Sequence, residues 1–130
     1  MLLVLGLTTV LLALLVLVVD VSVLLLAQRG VASAADGAAV AAAQGLDQDA
    51  LRSHGLGGRV PLGEVEVQRA VASYAGLVQP PTALTASREP DGTTVVVRAE
   101  RVVHLPFAGV VGKDRVTVRA VARARSPVAP

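Results

Sequence analysis

Two histidines, His54 and His104, are the side chains best suited to acid–base or metal chemistry near neutral pH. His54 has Asp47 and Asp49 close by in sequence, but no second histidine stands at a ligand spacing, so no metal site follows. Cysteine is absent, which removes a disulfide framework, a thiol nucleophile and thiolate-bound metal. No G-x-S-x-G elbow presents a serine nucleophile. Gly55-Leu56-Gly57-Gly58 has no strand running into it and no Lys-Ser/Thr after it, as a phosphate loop requires. With charged residues at 17% and aromatics at 2%, the chain lacks both the charge density and the stacking rings of a nucleic-acid binder. The sequence therefore predicts no enzyme, no cofactor, no metal, no small-molecule substrate and no nucleic acid.

What remains is the placing of a few charges in an apolar background. Met1 to Val19 carries no charged side chain, and Thr8 and Thr9 are its polar exceptions. Asp20 breaks the run, Val21–Ala27 resumes it, and Gln28-Arg29 closes it. About 20 helical residues cross a hydrocarbon core of roughly 30 Å, and a helix satisfies its own backbone polar groups where lipid cannot. The expectation is a single-pass membrane helix continuing as an Ala-rich stalk. The run exceeds the core of a signal peptide and lacks a basic segment before it. Ala32-Ser33-Ala34 does fit an A-x-A cleavage pattern, so release of a secreted binding domain by cleavage near Ala34 stands as the alternative.

A carboxylate at the bilayer centre costs roughly 2.5–3.5 kcal/mol on insertion scales. Two placements of Asp20 avoid that cost. Leu2–Val19 rises about 27 Å, which sets Asp20 at the interface. Otherwise Asp20 pairs with a cationic group of another subunit inside the membrane. The cationic residues after the span, Arg29 and further off Arg52 and Arg59, by themselves favour a cytoplasmic C-terminus. A basic segment upstream of Met1 would reverse that.

Along the chain the expected units are a membrane and stalk helix over 1–45, a linker with a short helix over 46–63, a small α+β domain over 64–125 and a disordered tail over 126–130. On the stalk, Val31, Ala35, Ala38, Ala42 and Leu46 share one helical face, opposite Arg29, Ser33, Asp36 and Gln44. Small residues recurring every fourth position allow close approach either to another subunit's helix or to this chain's own domain. Asp47 caps a possible turn of helix in the linker, and Gly55, Gly57, Gly58 and Pro61 form a loop. Val67, Val71, Tyr74 and Val78 mark a second helix from Glu64 to about Leu77, ended by Pro80-Pro81. The period then becomes two. Strands are expected over 82–88, over 93–105 with a bulge at Glu100-Arg101, and over 115–125, with a turn at Glu89-Pro90-Asp91-Gly92. The fold class is α+β: a long N-terminal helix, then a second helix packed on a three-stranded antiparallel sheet.

Two surfaces invite a partner. One is the arginine face of the last strand, with Arg119 and Arg123, which suits either water or anionic groups. The other is the loop Leu105–Gly112, apolar for a connection and holding the only phenylalanine, Phe107, with Val110 beyond it. Burial inside the domain and contact with membrane lipid or a neighbouring subunit are both open to it.

The order of an apolar run, Val19-Asp20-Val21, then Arg29, then Ala34-Ala35-Asp36-Gly37-Ala38-Ala39-Val40-Ala41-Ala42-Ala43 resembles the N-terminal helix of the TadE/TadG-like proteins of Tad (Flp) pilus assembly. The likeness covers about the first third of the chain. One lysine among twelve basic residues, with abundant Ala, Val and Gly, suits a high-GC actinobacterial genome, where such systems are common. The resemblance implies a pilin-like, non-catalytic subunit in the cell membrane with its C-terminal domain outside the cytoplasm. Its partners would be other pilin- or pseudopilin-like subunits and Tad assembly proteins. Asp20 and Asp36 would match the family's two aspartates, with Arg29, Ala34, Ala35, Ala38, Ala39 and Ala42 on the assembly helix. Members usually begin with a short basic, polar segment that does not precede Leu2 here, which suits a start upstream of Met1. The prepilin-peptidase pattern of Gly followed five residues later by Glu is also missing, since Leu11 stands there after Gly6.

Overall fold

No proline occurs before Pro61, and leucine and alanine are strong helix formers, so nothing in the first fifty residues stops a helix once it starts. The computed structural model describes residues 1–54, 64–92 and 94–125. Its first element, α1 (Leu2–His54), is one helix of 53 residues, about 80 Å long. It does not end at Gly45, as the sequence suggested. A lone glycine costs only about 1 kcal/mol against alanine in a helix, and no proline follows to enforce a stop. The Asp47–Arg52 segment, expected as a separate short helix, is the continuation of α1. The Gly55–Pro61 loop and the 126–130 tail lie outside the described residues.

After α1 come α2 (Glu64–Ala75), β1 (Ala83–Arg88), β2 (Thr94–His104), a short 3-10 turn (Ala108–Val111) and β3 (Arg115–Arg125). The strands form one antiparallel sheet in the order β1-β2-β3. The β1–β2 turn works as its composition suggests. Gly92 takes φ +74°, and the Asp91 carboxylate accepts from both the backbone N–H and the hydroxyl of Thr94, at 2.9 and 2.6 Å.

The bulge expected at Glu100-Arg101 is absent. The β2–β3 register runs unbroken from Thr94↔Arg125 to His104↔Arg115. Alternation falters in the sequence because Arg101 takes an inward position among valines and alanines. Its long side chain carries the charge out of the core to the start of β1. There its guanidinium donates to the Thr82 hydroxyl at 2.9 Å and to the Pro80 carbonyl at 3.1 Å.

The cover of the sheet also differs from expectation. The helix lying over β2 and β3 is α1, while α2 packs beside it, mainly over β1. Val31, Ala35, Ala38, Ala39 and Ala42 of α1 meet Val67 and Val71 of α2 and Val95, Val97, Ala99, Val103, Val118 and Ala122 of the sheet. Alanine leaves little between helix and sheet, so the layers approach closely. The mass is supplied by Val31, Val67, Val95 and Val97, the largest fully buried side chains among the described residues. Each valine contributes about 1.5–3 kcal/mol when fully buried. We call this assembly, from Asp20 onward, the head.

Gly37 makes room for Tyr74 between the two helices. A methyl group at position 37 would lie 2.0 Å from Tyr74 Oη and 2.6 Å from Cζ. Gly37→Ala should therefore destabilise the head by about 1–2 kcal/mol through overpacking. On an open helix surface the same change would stabilise by about 1 kcal/mol. In a Tyr74→Ala background the sign should reverse. Denaturant unfolding of the four proteins of this double-mutant cycle reads it directly. Stabilisation in both backgrounds would remove the steric account.

Candidate functional site

From Leu2 to Leu15 every residue of α1 is exposed. An 18-residue apolar window of this helix is wholly unburied, and its length and composition allow it to cross a membrane. Its polar side chains are satisfied locally. Thr8 and Thr9 donate to the carbonyls of Val4 and Leu5, at 2.8 and 2.9 Å, and Ser22 donates to that of Val18 at 2.7 Å. Such back-bonding leaves none of these three hydroxyl donors without a partner.

Asp20 stands where the bare helix meets the head. Its Oδ1 accepts a hydrogen bond from the Phe107 backbone N–H at 3.2 Å. Val16 and Val19 become half-buried at the same level, and Val23, Leu24 and Ala27 pack against the edge of the core. The sequence offers this carboxylate no partner within its own chain; the structure supplies one, the head's own β2–β3 loop. Nothing local in the sequence announces it, because the contact joins residues 87 positions apart.

That loop is ordered by its own backbone. Leu105 N–H donates to the Asp114 carbonyl at 2.9 Å, and Val110 N–H to that of Phe107 at 3.2 Å. Gly112 closes the 3-10 turn with φ +81°, a conformation that suits glycine. Phe107 is 41% exposed and Val110 91%, so the apolar loop is not folded into the core.

The alanines singled out in the sequence divide from the charges. Ala35, Ala38, Ala39 and Ala42 are buried against this chain's own sheet and second helix, and Ala34 is buried as well. They offer no surface to another subunit. Arg29 and Asp36 are exposed on the remaining face. The arginine face of β3 is partly neutralised from within: Arg119 Nε lies 2.9 Å from Glu100 Oε1, and Arg123 Nε lies 3.7 Å from Glu89 Oε1. Exposed pairs of this kind contribute about 0–1 kcal/mol each, but they lower the free positive charge available to a partner.

An open groove of ≈ 470 Å³ runs between α1 and the α2–β1 connection, lined by Leu26, Gly30, Ser33, Tyr74, Leu77 and Arg101 among others. It joins one guanidinium, one phenol, one hydroxyl and the Gln79 carboxamide, with no carboxylate or imidazole in its lining. The guanidinium is already held by Thr82 and Pro80. No group of three or more His, Asp or Glu side chains converges among the described residues. Compared with known proteins, the chain matches no family model, no curated protein and no solved structure.

Proposed function

We propose that this chain is a membrane-anchored, pilin-like structural subunit of a Tad (Flp) type pilus assembly or a related secretion apparatus. It acts by packing against other subunits, without catalysis, and its head stands outside the cytoplasm. The observation that supports this reading is the double use of α1. One helix is bare and apolar near its start, and farther on it covers β2 and β3 in a small α+β head. A subunit built so is held in lipid by the same rod that organises its head. The surface left for neighbours is the bare helix and the exposed side of the stalk, since the alanine face is occupied within the chain.

The architecture weighs against release near Ala34. Cleavage there would remove Val31, which has no exposed surface, and separate the head from Val23, Leu24, Ala27 and Asp20. The head would lose a core valine and the bond that holds the β2–β3 loop.

Deletion of the gene in its host, with complementation, tests the proposal. We expect loss of surface pili, together with crosslinks from a photoreactive residue at position 18 to another pilin-like subunit. A host that assembles normal pili without the protein would overturn the reading.

A further inference from the structure

We propose that the β2–β3 loop is a second membrane contact, with Phe107 and Val110 seated at the headgroup–acyl boundary of the leaflet from which α1 emerges. This inference rests on reading α1 as the membrane span. Three observations carry it.

The first is position. Leu2–Val19 accounts for about 27 Å of helix, so a span beginning near the N-terminus delivers Asp20 to the far interface. The hydrogen bond from Phe107 N–H to Asp20 holds the loop at that same depth. The other connection at this end of the head lies farther out. Arg101, which grips Pro80 and Thr82, comes beside Gly30, ten residues and about 15 Å along the helix from Asp20. Among the described residues that follow α1, the β2–β3 loop is thus the part of the head nearest the bare helix.

The second is chemistry. From Leu105 to Gly112 the loop carries no charge, and its phenylalanine and Val110 are exposed. Lys113 follows at the rim, exposed, where an ammonium can reach lipid phosphates. The turn at the opposite end of β2 is Glu89-Pro90-Asp91-Gly92, polar and acidic. One sheet therefore has an apolar tip beside the span and a charged tip away from it.

The third is order. The loop's hydrogen bonds present Phe107 and Val110 on a fixed turn, so little conformational entropy is lost on insertion. Asp20 gains as well: a carboxylate at the edge of the hydrocarbon is offset by a backbone donor instead of by water alone.

The absence of cysteine makes the test clean, because one introduced thiol is the only labelling site. The full chain carrying Leu11→Cys, Val110→Cys or Val121→Cys is labelled with an environment-sensitive fluorophore. It is then reconstituted in phosphatidylcholine–phosphatidylglycerol vesicles. Quenching is read with a lipid bearing a shallow nitroxide and with aqueous iodide. Val121 is an exposed apolar residue on the outer sheet face and serves as the head reference. The expected result is lipid quenching at position 110 several-fold above that at position 121, with iodide quenching correspondingly lower. Equal iodide access at 110 and 121, while the probe at 11 is quenched by lipid, would overturn the loop contact and leave the span reading intact. Protection at 110 without lipid quenching would point to a second copy or a protein partner, and would also overturn it. A probe at 11 open to iodide would remove the span reading and this inference together.

Discussion

Replacing Ala38 by leucine is expected to lower the midpoint of thermal unfolding of the head by about 5–20 °C, from a cost of about 1–3 kcal/mol at about 4–8 °C per kcal/mol. Ala38 has no exposed surface and sits in the cluster formed with Val71, Val95, Val97 and Val118. Leucine and alanine have similar helix propensities, so the loss comes from packing. An isobutyl group has nowhere to go between α1 and the sheet unless the two layers separate, and separation unseats the neighbouring alanines as well. Val40 supplies the control: it is 51% exposed on the other side of the same turn. Val40→Leu should stay within about 0.5 kcal/mol of the parent. The measurement is heat denaturation of the full chain in detergent, followed by loss of hydrogen-exchange protection in β2. Equal midpoints for the two variants would show that the alanine face does not bear on the sheet.

Two arginines in the bare helix, Leu11→Arg with Leu14→Arg, should release the chain from membranes, whereas either alone should not. Nine leucines and five valines lie between Leu2 and Val19. At about −0.3 to −0.6 kcal/mol each, they favour insertion by at most about 4–8 kcal/mol. Exchanging one central leucine for arginine shifts the balance by about 3–4 kcal/mol, which the rest of the run still exceeds. A second exchange brings the total shift to about 6–8 kcal/mol and exhausts the surplus. Alkaline extraction of cell membranes reads the outcome. Leu11 and Leu14 are exposed and outside the core, so the freed double variant should keep a folded head. A double variant that stays in the alkali-resistant pellet would count against lipid as the partner of this helix.

Much of the architecture is legible in residue periodicity, and the failures have physical causes. The 3.6-residue pattern of Val31, Ala35, Ala38 and Ala42 identifies the buried face of α1, and the valine pattern of α2 does the same. The strands and the Pro-Asp-Gly turn follow from alternation and turn chemistry. Periodicity names a face, however, and not what covers it. Two amphipathic helices competed for one sheet, and the longer, alanine-lined one took the place over β2 and β3. By residue type Arg101 reads as a break in the alternation, but the length of its side chain lets its charge leave the core from an inward position. Gly45 reads as the end of α1, but the helix runs on to His54 because a lone glycine without a proline behind it is a weak stop. Asp20 and the apolar loop were each conspicuous in the sequence, but their meeting depends on the whole sheet bringing residue 107 back to residue 20.

The unbroken course of α1 from its bare end into the head has a geometric consequence. Each residue added between Leu2 and Val19 would swing the head by about 100° and advance it by about 1.5 Å relative to the first turn, with no proline joint to absorb the twist. Seven added residues would bring it back nearly to its starting azimuth, since seven residues make almost two full turns. The compass bearing of the head about the rod is therefore written in residue count, and whatever grips the first turns also aims everything attached to the last.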